Sequence, residues 1–239
     1  GILAARLLGA EGRGELAAAI VWASILSGIV QLGLPQALTF ITARAQREVG
    51  SIFFSTAVLW ITQSVVGILV GLLAIYVLLN PSQPTAANSV RIYLLAIPLT
   101  LVPPYLSTIV LGLKKYDLYS LLRMLGAMGY FIALILALLF SVKEVISVII
   151  LVLSLQFLFA GLSLFHFLRV VQPIGSVDKL IIKRLVSYGS KSYWGNLSWM
   201  ANARLDQFAM TAYVDLEALG HYAVAVSYSV ILLSLSRTI

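Results

Sequence analysis

The sequence predicts an all-α fold: a polytopic bundle of about seven complete transmembrane helices, preceded by the tail of another. Three observations carry this. The 239 residues are 61% apolar and only 10% charged, with a mean hydropathy of +1.01, whereas a soluble domain carries roughly 25% charged residues. The few charges are separated by long uncharged intervals, of the length of about 20 residues that a helix needs to cross roughly 30 Å of hydrocarbon. Those intervals are continuous rather than alternating, which excludes a β-barrel, and no open sheet can face lipid. An ordinary soluble enzyme, a disordered chain and a nucleic-acid-binding domain are excluded by the same arithmetic. The net charge of +7 points first to anionic lipid headgroups.

The elements follow in order. Gly1 to Ala5 runs into Arg6 and reads as the end of a helix whose start is missing; with Ile239 ending the last crossing, the chain is expected to be a fragment. Gly9-Ala10-Glu11-Gly12-Arg13-Gly14 is expected to be an outer turn; it lacks the Lys-Ser/Thr of a phosphate-binding loop. Glu15 to Arg44 encloses 28 uncharged residues and gives a helix over about 16–41. Glu48 to Arg91 encloses 42, and Asn80-Pro81-Ser82-Gln83-Pro84 stops a helix of 51–79 within it. Intervals of 22, 19 and 24 residues give helices at 92–113, 118–141 and 145–168. A longer loop is expected from Arg169 to Val186, then helices at 187–213 and 218–237.

Counting basic residues tests this arrangement. One side receives Arg6, Arg13, Arg91 and Lys143. The other receives eleven, among them Arg44, Arg47, Lys114, Lys115, Arg169 and Lys183, and should face the cytoplasm. Arg204 is left inside the membrane. Cysteine is absent, and His166 and His221 stand far apart, so no disulfide, metal site or cofactor is expected, and no catalytic constellation is present.

The chain also echoes itself. At an offset of 206 residues, Glu11, Gly14, Ala17, Ala19, Ile25 and Leu26 meet Glu217, Gly220, Ala223, Ala225, Ile231 and Leu232. The offset spans six helices, so both copies enter the membrane in the same direction, as in two-lobed transporters built from parallel repeats. Residues 1–175 then form an N-terminal lobe with a truncated first helix, and 176–239 open a second lobe.

Three short motifs carry a family resemblance. Arg6-Leu7-Leu8-Gly9 through Gly14 resembles the outer loop near the start of Wzx-type oligosaccharide flippases, polysaccharide exporters of the multidrug/oligosaccharidyl-lipid/polysaccharide superfamily. Leu111-Gly112-Leu113-Lys114-Lys115-Tyr116-Asp117-Leu118-Tyr119 is similar to their cytoplasmic turn between the fourth and fifth helices. Arg204-Leu205-Asp206, followed by Gly220-His221-Tyr222 and Ala225, is similar to their signature over the seventh and eighth helices. The resemblance implies two six-helix bundles around a central cavity and transport of a polyprenyl-pyrophosphate-linked oligosaccharide across the cytoplasmic membrane. It implies membrane lipids and other polysaccharide-assembly proteins as partners, no nucleic acid, and no enzymatic reaction.

Among candidate site residues, Arg204 and Asp206 are the most informative. Each costs about 2.5 to 3.5 kcal/mol at a helix centre on insertion scales, so neither should face lipid. Two residues apart, they project about 200° from one another. Asp206 shares a stripe with Asn202, Ser198, Gly195 and Lys191; Arg204 shares the other with Met200, Leu197, Tyr193, Phe208 and Thr211. One of the pair should face a cavity while the other bonds a neighbouring helix; an anion contact and structural hydrogen bonding are the two readings. Lys191 is the next candidate cation. Ser24, Ser27, Gly28, Gln31 and Pro35 form a small-polar face that could line the cavity or, preferably, pack closely. Pro98, Pro103 and Pro104 give either a hinge or a static bend. Gly67 and Gly71 form a packing notch. Competing readings within the superfamily are a cation-coupled multidrug exporter and a peptidoglycan-precursor flippase; a non-transporting membrane scaffold is the alternative outside transport. A membrane glycosyltransferase is disfavoured, because the longest loop carries only Asp178.

Overall fold

A computed structural model describes residues 2–79 and 84–236, apart from the side chains of residues 2, 196, 199 and 230–236. The turn at Asn80, Pro81, Ser82 and Gln83 and the cation Arg237 lie outside the described residues. The described residues form nine α-helices, one short 3-10 helix at Gln46–Glu48 and no strand: α1 Ile2–Gln31, α2 Leu34–Arg44, α3 Val49–Leu78, α4 Pro84–Tyr93, α5 Ala96–Gly112, α6 Tyr116–Leu139, α7 Val145–Val171, α8 Lys179–Tyr213 and α9 Leu216–Ser236. Five spans are long and apolar enough to cross a membrane: Leu3–Gln31, Gln46–Leu78, Pro84–Gly112, Tyr116–Leu139 and Val145–Val171. The further crossings expected at 187–213 and 218–237 correspond to α8 and, as far as Ser236, to α9, neither of which is among the five spans found in the described residues. This is a multi-pass helical membrane protein.

Four expectations are corrected. The single helix expected at 16–41 is two, because Leu32 (φ 48) and Gly33 (φ 66) turn left-handed between α1 and α2. Pro35 then sits in the first turn of α2, where a missing N–H costs nothing. The span expected at 92–113 begins earlier, as α4, and turns at Leu94-Leu95. Pro98 falls in the first turn of α5, while Pro103 and Pro104 lie inside it. The expected loop of Arg169 to Val186 shrinks to 172–178, since Asp178 caps α8 by accepting from the Leu180 amide at 2.7 Å. The outer turn at Gly9 to Gly14 reduces to Gly9 (φ 72, ψ −175), and residues 10–14 are already helical.

Helix α1 is central and touches every other long helix. Its buried surface of Leu16, Ala17, Ala18, Ala19, Val21 and Trp22 lets neighbours approach closely, the means by which membrane helices associate without a hydrophobic driving force. Apolar faces of α3 and α7 point outward, with Leu73 72% and Phe157 71% exposed, as lipid-facing helices require. At one end the structure gathers the chain segments richest in cations. Lys115 Nζ donates to the Val170 carbonyl at 3.1 Å, and Gln46 Nε2 to that of Gly112 at 3.5 Å. The hydroxyl of Ser55 receives the Asp178 amide at 3.0 Å. At the opposite end, Glu15 of α1 accepts a hydrogen bond from Ser89 of α4.

The break between α1 and α2 frees backbone groups inside the membrane, where each must find a partner. The buried amide of Gln63 on α3 answers one of them: its Nε2 reaches the Gln31 carbonyl at 3.5 Å. Tyr105 of α5 holds Gln63 in place, donating to its Oε1 at 2.6 Å. Gly33 also lies against α8, where an added Cβ would stand 3.1 Å from the Gly189 carbonyl carbon and closer to its oxygen.

Candidate translocation cavity

A cavity of about 370 Å³ lies between α1, the α4–α5 unit and α8. Its polar groups are Ser24, Ser27 and Gln31 from α1, Tyr93 and Thr100 from α4 and α5, and Arg204 from α8. The α1 side chains reach it because Ile20, Ser24, Ser27 and Gln31 recur at helical spacing on one face. Ser24 Oγ donates to the Val21 carbonyl at 2.9 Å. Thr100 Oγ1 donates to the Ile97 carbonyl at 3.0 Å, so in the 3.2 Å contact between Ser27 and Thr100 the serine is the donor. Gly28 seats the Met200 side chain of α8: a Cβ there would meet its sulfur.

Helix α8 is held in register by aromatic and polar contacts, those of Phe208 and Thr211 on the face that Arg204 shares. Trp22 Nε1 donates to Thr211 Oγ1 at 3.1 Å, and its ring lies 4.9 Å from that of Phe208. Tyr188 stacks on Phe40 of α2 at 4.4 Å. Between these anchors Arg204 donates from Nη1 to Gln207 Oε1 at 3.2 Å. That acceptor is neutral. Among the described residues the ion pair found is His221 with Glu217 at 3.8 Å, exposed on α9, so the Arg204 charge is left uncompensated.

The predicted site residues therefore separate. Arg204 and Gln31 share the cavity. Asp206 instead accepts a hydrogen bond from Tyr222 of α9 and one from the Gln207 amide at 2.7 Å. Lys191, Ser198 and Asn202 lie on the exposed side of α8, with Ser198 Oγ bonded back to the Trp194 carbonyl at 3.0 Å. The polar stripe thus lies away from the cavity on the described residues, because the bulky face of α8 packs on α1.

The structure adds residues that the sequence reading did not select. Arg13 was expected in a solvated outer turn but is 7% exposed on helical α1. Tyr130 of α6 and Arg204 lie within electrostatic reach of it. Tyr93 lies near Gln156 of α7 and Tyr130. A signal for Arg13 was available: positions 13, 17, 20, 24, 27 and 31 form one heptad-like stripe, with the arginine heading the cavity face.

Above Arg13, α1 and α9 cross at backbone contact. An added Cβ on Gly14 would stand 2.7 Å from the Leu216 carbonyl carbon, and one on Gly220 would stand 2.9 Å from that of Ala10, with the carbonyl oxygens nearer still. Under the 206-residue offset Ala10 maps onto Leu216 and Gly14 onto Gly220. The contact is therefore reciprocal, as at a two-fold axis.

No curated protein and no solved structure matches the chain. A family model described as polysaccharide biosynthesis protein matches residues 2–239, and the chain belongs to that family.

Proposed function

We propose that this protein is a flippase that moves a polyprenyl-pyrophosphate-linked oligosaccharide across the cytoplasmic membrane by alternating access. Residues 1–175 form one lobe and 176–239 open the second. The single observation that carries this reading is the uncompensated guanidinium of Arg204 on the wall of a hydroxyl-lined cavity within the membrane. A diphosphate carries concentrated negative charge that must leave water, and a cation in a poorly hydrated cavity attracts it strongly. Arginine suits the task because it stays protonated and can fork onto two phosphate oxygens. Hydroxyls and amides along α1 and α5 offer polar contacts for sugar groups. A transporter of cationic drugs needs a carboxylate facing its cavity, and Asp206 is turned to Tyr222 instead.

The test is export of glycan in cells that depend on the full-length protein. Arg204→Ala should lower export at least tenfold while the protein still accumulates in the membrane, and Arg204→Lys should restore part of it. Normal export by Arg204→Ala at normal protein level would remove the anion reading.

A further inference from the structure

We infer that Arg13 is the second arm of the anion site, so that Arg13 and Arg204 each engage one phosphoryl group of a lipid diphosphate. The inference rests on the flippase reading and deepens it, from a cation in the cavity to a two-point recognition of the diphosphate itself.

Arg13 is more than nine-tenths buried. Its Nε and Nη1 are buried without any hydrogen-bond partner. A guanidinium is never deprotonated in a protein, so this is a permanent charge with two of its three donor nitrogens unpaired. Such an arrangement is strongly unfavourable relative to a paired or solvated charge. Among the described residues no acid relieves it. Of the acids on its own helix, Glu11 is exposed and Glu15 is engaged by Ser89. The groups that face it from other helices are Tyr130, which is neutral, and Arg204, which repels it. Two cations within electrostatic reach of one another, with no acid facing Arg13 among the described residues, suit an anion, and a ligand with two phosphoryl groups can satisfy both forks at once.

The position agrees. Arg13 heads the same α1 stripe as Ser24, Ser27 and Gln31, whose other end lines the cavity with Arg204. It lies one residue from Gly14, at the crossing with α9. Tyr130 stands within electrostatic reach of it with Tyr93 near Tyr130 in turn, and Gln156 Oε1 is a further buried atom without a partner.

The test measures binding of three lipids to the full-length protein in nanodiscs: a polyprenyl diphosphate, the polyprenyl monophosphate and the uncharged polyprenol. Arg13→Met keeps the side-chain length and removes the charge. It should weaken diphosphate binding on the order of tenfold to a hundredfold, the loss expected for charge-assisted hydrogen bonds. Monophosphate binding should fall much less, because Arg204 still serves one phosphoryl group, and polyprenol binding should not change. The same variant should melt at an equal or higher temperature without lipid, since a buried unpaired charge has been removed. Arg13→Lys should keep part of the preference for diphosphate over monophosphate.

A lower melting temperature with that preference intact would make Arg13 structural and overturn the inference. If Arg204→Ala abolishes the preference while Arg13→Met does not, the inference fails and the flippase reading stands. If the unaltered protein shows no preference for any charged lipid, the flippase reading fails with it.

Discussion

The backbone crossing of α1 and α9 makes a prediction against the usual expectation for glycine. Replacing a helical glycine by alanine normally stabilises a helix by about 1 kcal/mol. At Gly14 the new methyl would lie 2.7 Å from the Leu216 carbonyl carbon, where carbon atoms in contact need about 3.5 to 4.0 Å. The obstructing atoms are helix backbone and cannot rotate aside, so the two helices must separate by about 1 Å. A gap of that size forfeits roughly a quarter to a half of each contact's attraction along the interface, and overpacking of this kind costs about 1–3 kcal/mol. Gly14→Ala in the full-length protein should therefore lower the melting temperature in detergent by several degrees, at roughly 2–4 °C per kcal/mol. Gly161→Ala is the control, because a Cβ there meets nothing within 4 Å, and it should be neutral or slightly stabilising. Gly220→Ala should behave like Gly14→Ala, and the double variant should lose less than the sum, since helices already apart have room for the second methyl. If Gly14→Ala proves as stable as Gly161→Ala, the helices are not in backbone contact and the reciprocal crossing is wrong.

Two other outcomes are open to direct measurement. Lys114→Cys, in a chain free of cysteine, should react with an impermeant thiol reagent only after the cells are opened; labelling in intact cells would invert the orientation assigned to every helix. Gln63→Leu should destabilise the protein by about 1–3 kcal/mol, because it strands the Gln31 carbonyl and the Tyr105 hydroxyl within the membrane. Gln63→Leu combined with Tyr105→Phe should recover part of that loss in thermal unfolding, and failure to recover it would show that the relay does not bear on the helix break.

The parts of the fold legible in the sequence are those governed by solvent alone. Helices α3, α6 and α7 lie near their expected places because lipid-exposed elements are apolar along their whole length, and charges can stand only where they end. What was not legible depends on neighbours. The joint between α1 and α2 carries no charge to mark it, yet Gly33 and Pro35 spelled it out: a left-handed residue followed by one that cannot donate a hydrogen bond. The start of α8 was hidden for the opposite reason. Lys179, Lys183 and Arg184 read as loop when counted as charges, whereas Asp178 before them is a helix cap.

The candidate site divides along the same line. Arg204 stood out because its position inside a membrane segment is costly on its face, and no partner needed to be known. Arg13 did not, since an arginine near a span's end is ordinarily solvated, and only the packing of α4, α6 and α9 around α1 makes it buried. The heptad-like stripe from position 13 to position 31 contains both kinds of information. Its small and polar members give α1 its close approach to α8, and the same residues leave the cavity open on that face. Small side chains therefore perform two tasks in one helix: at Gly14 they bring backbones into contact and at Gly28 they seat the Met200 side chain, and between those points they leave the space that Arg204 lines with its charge.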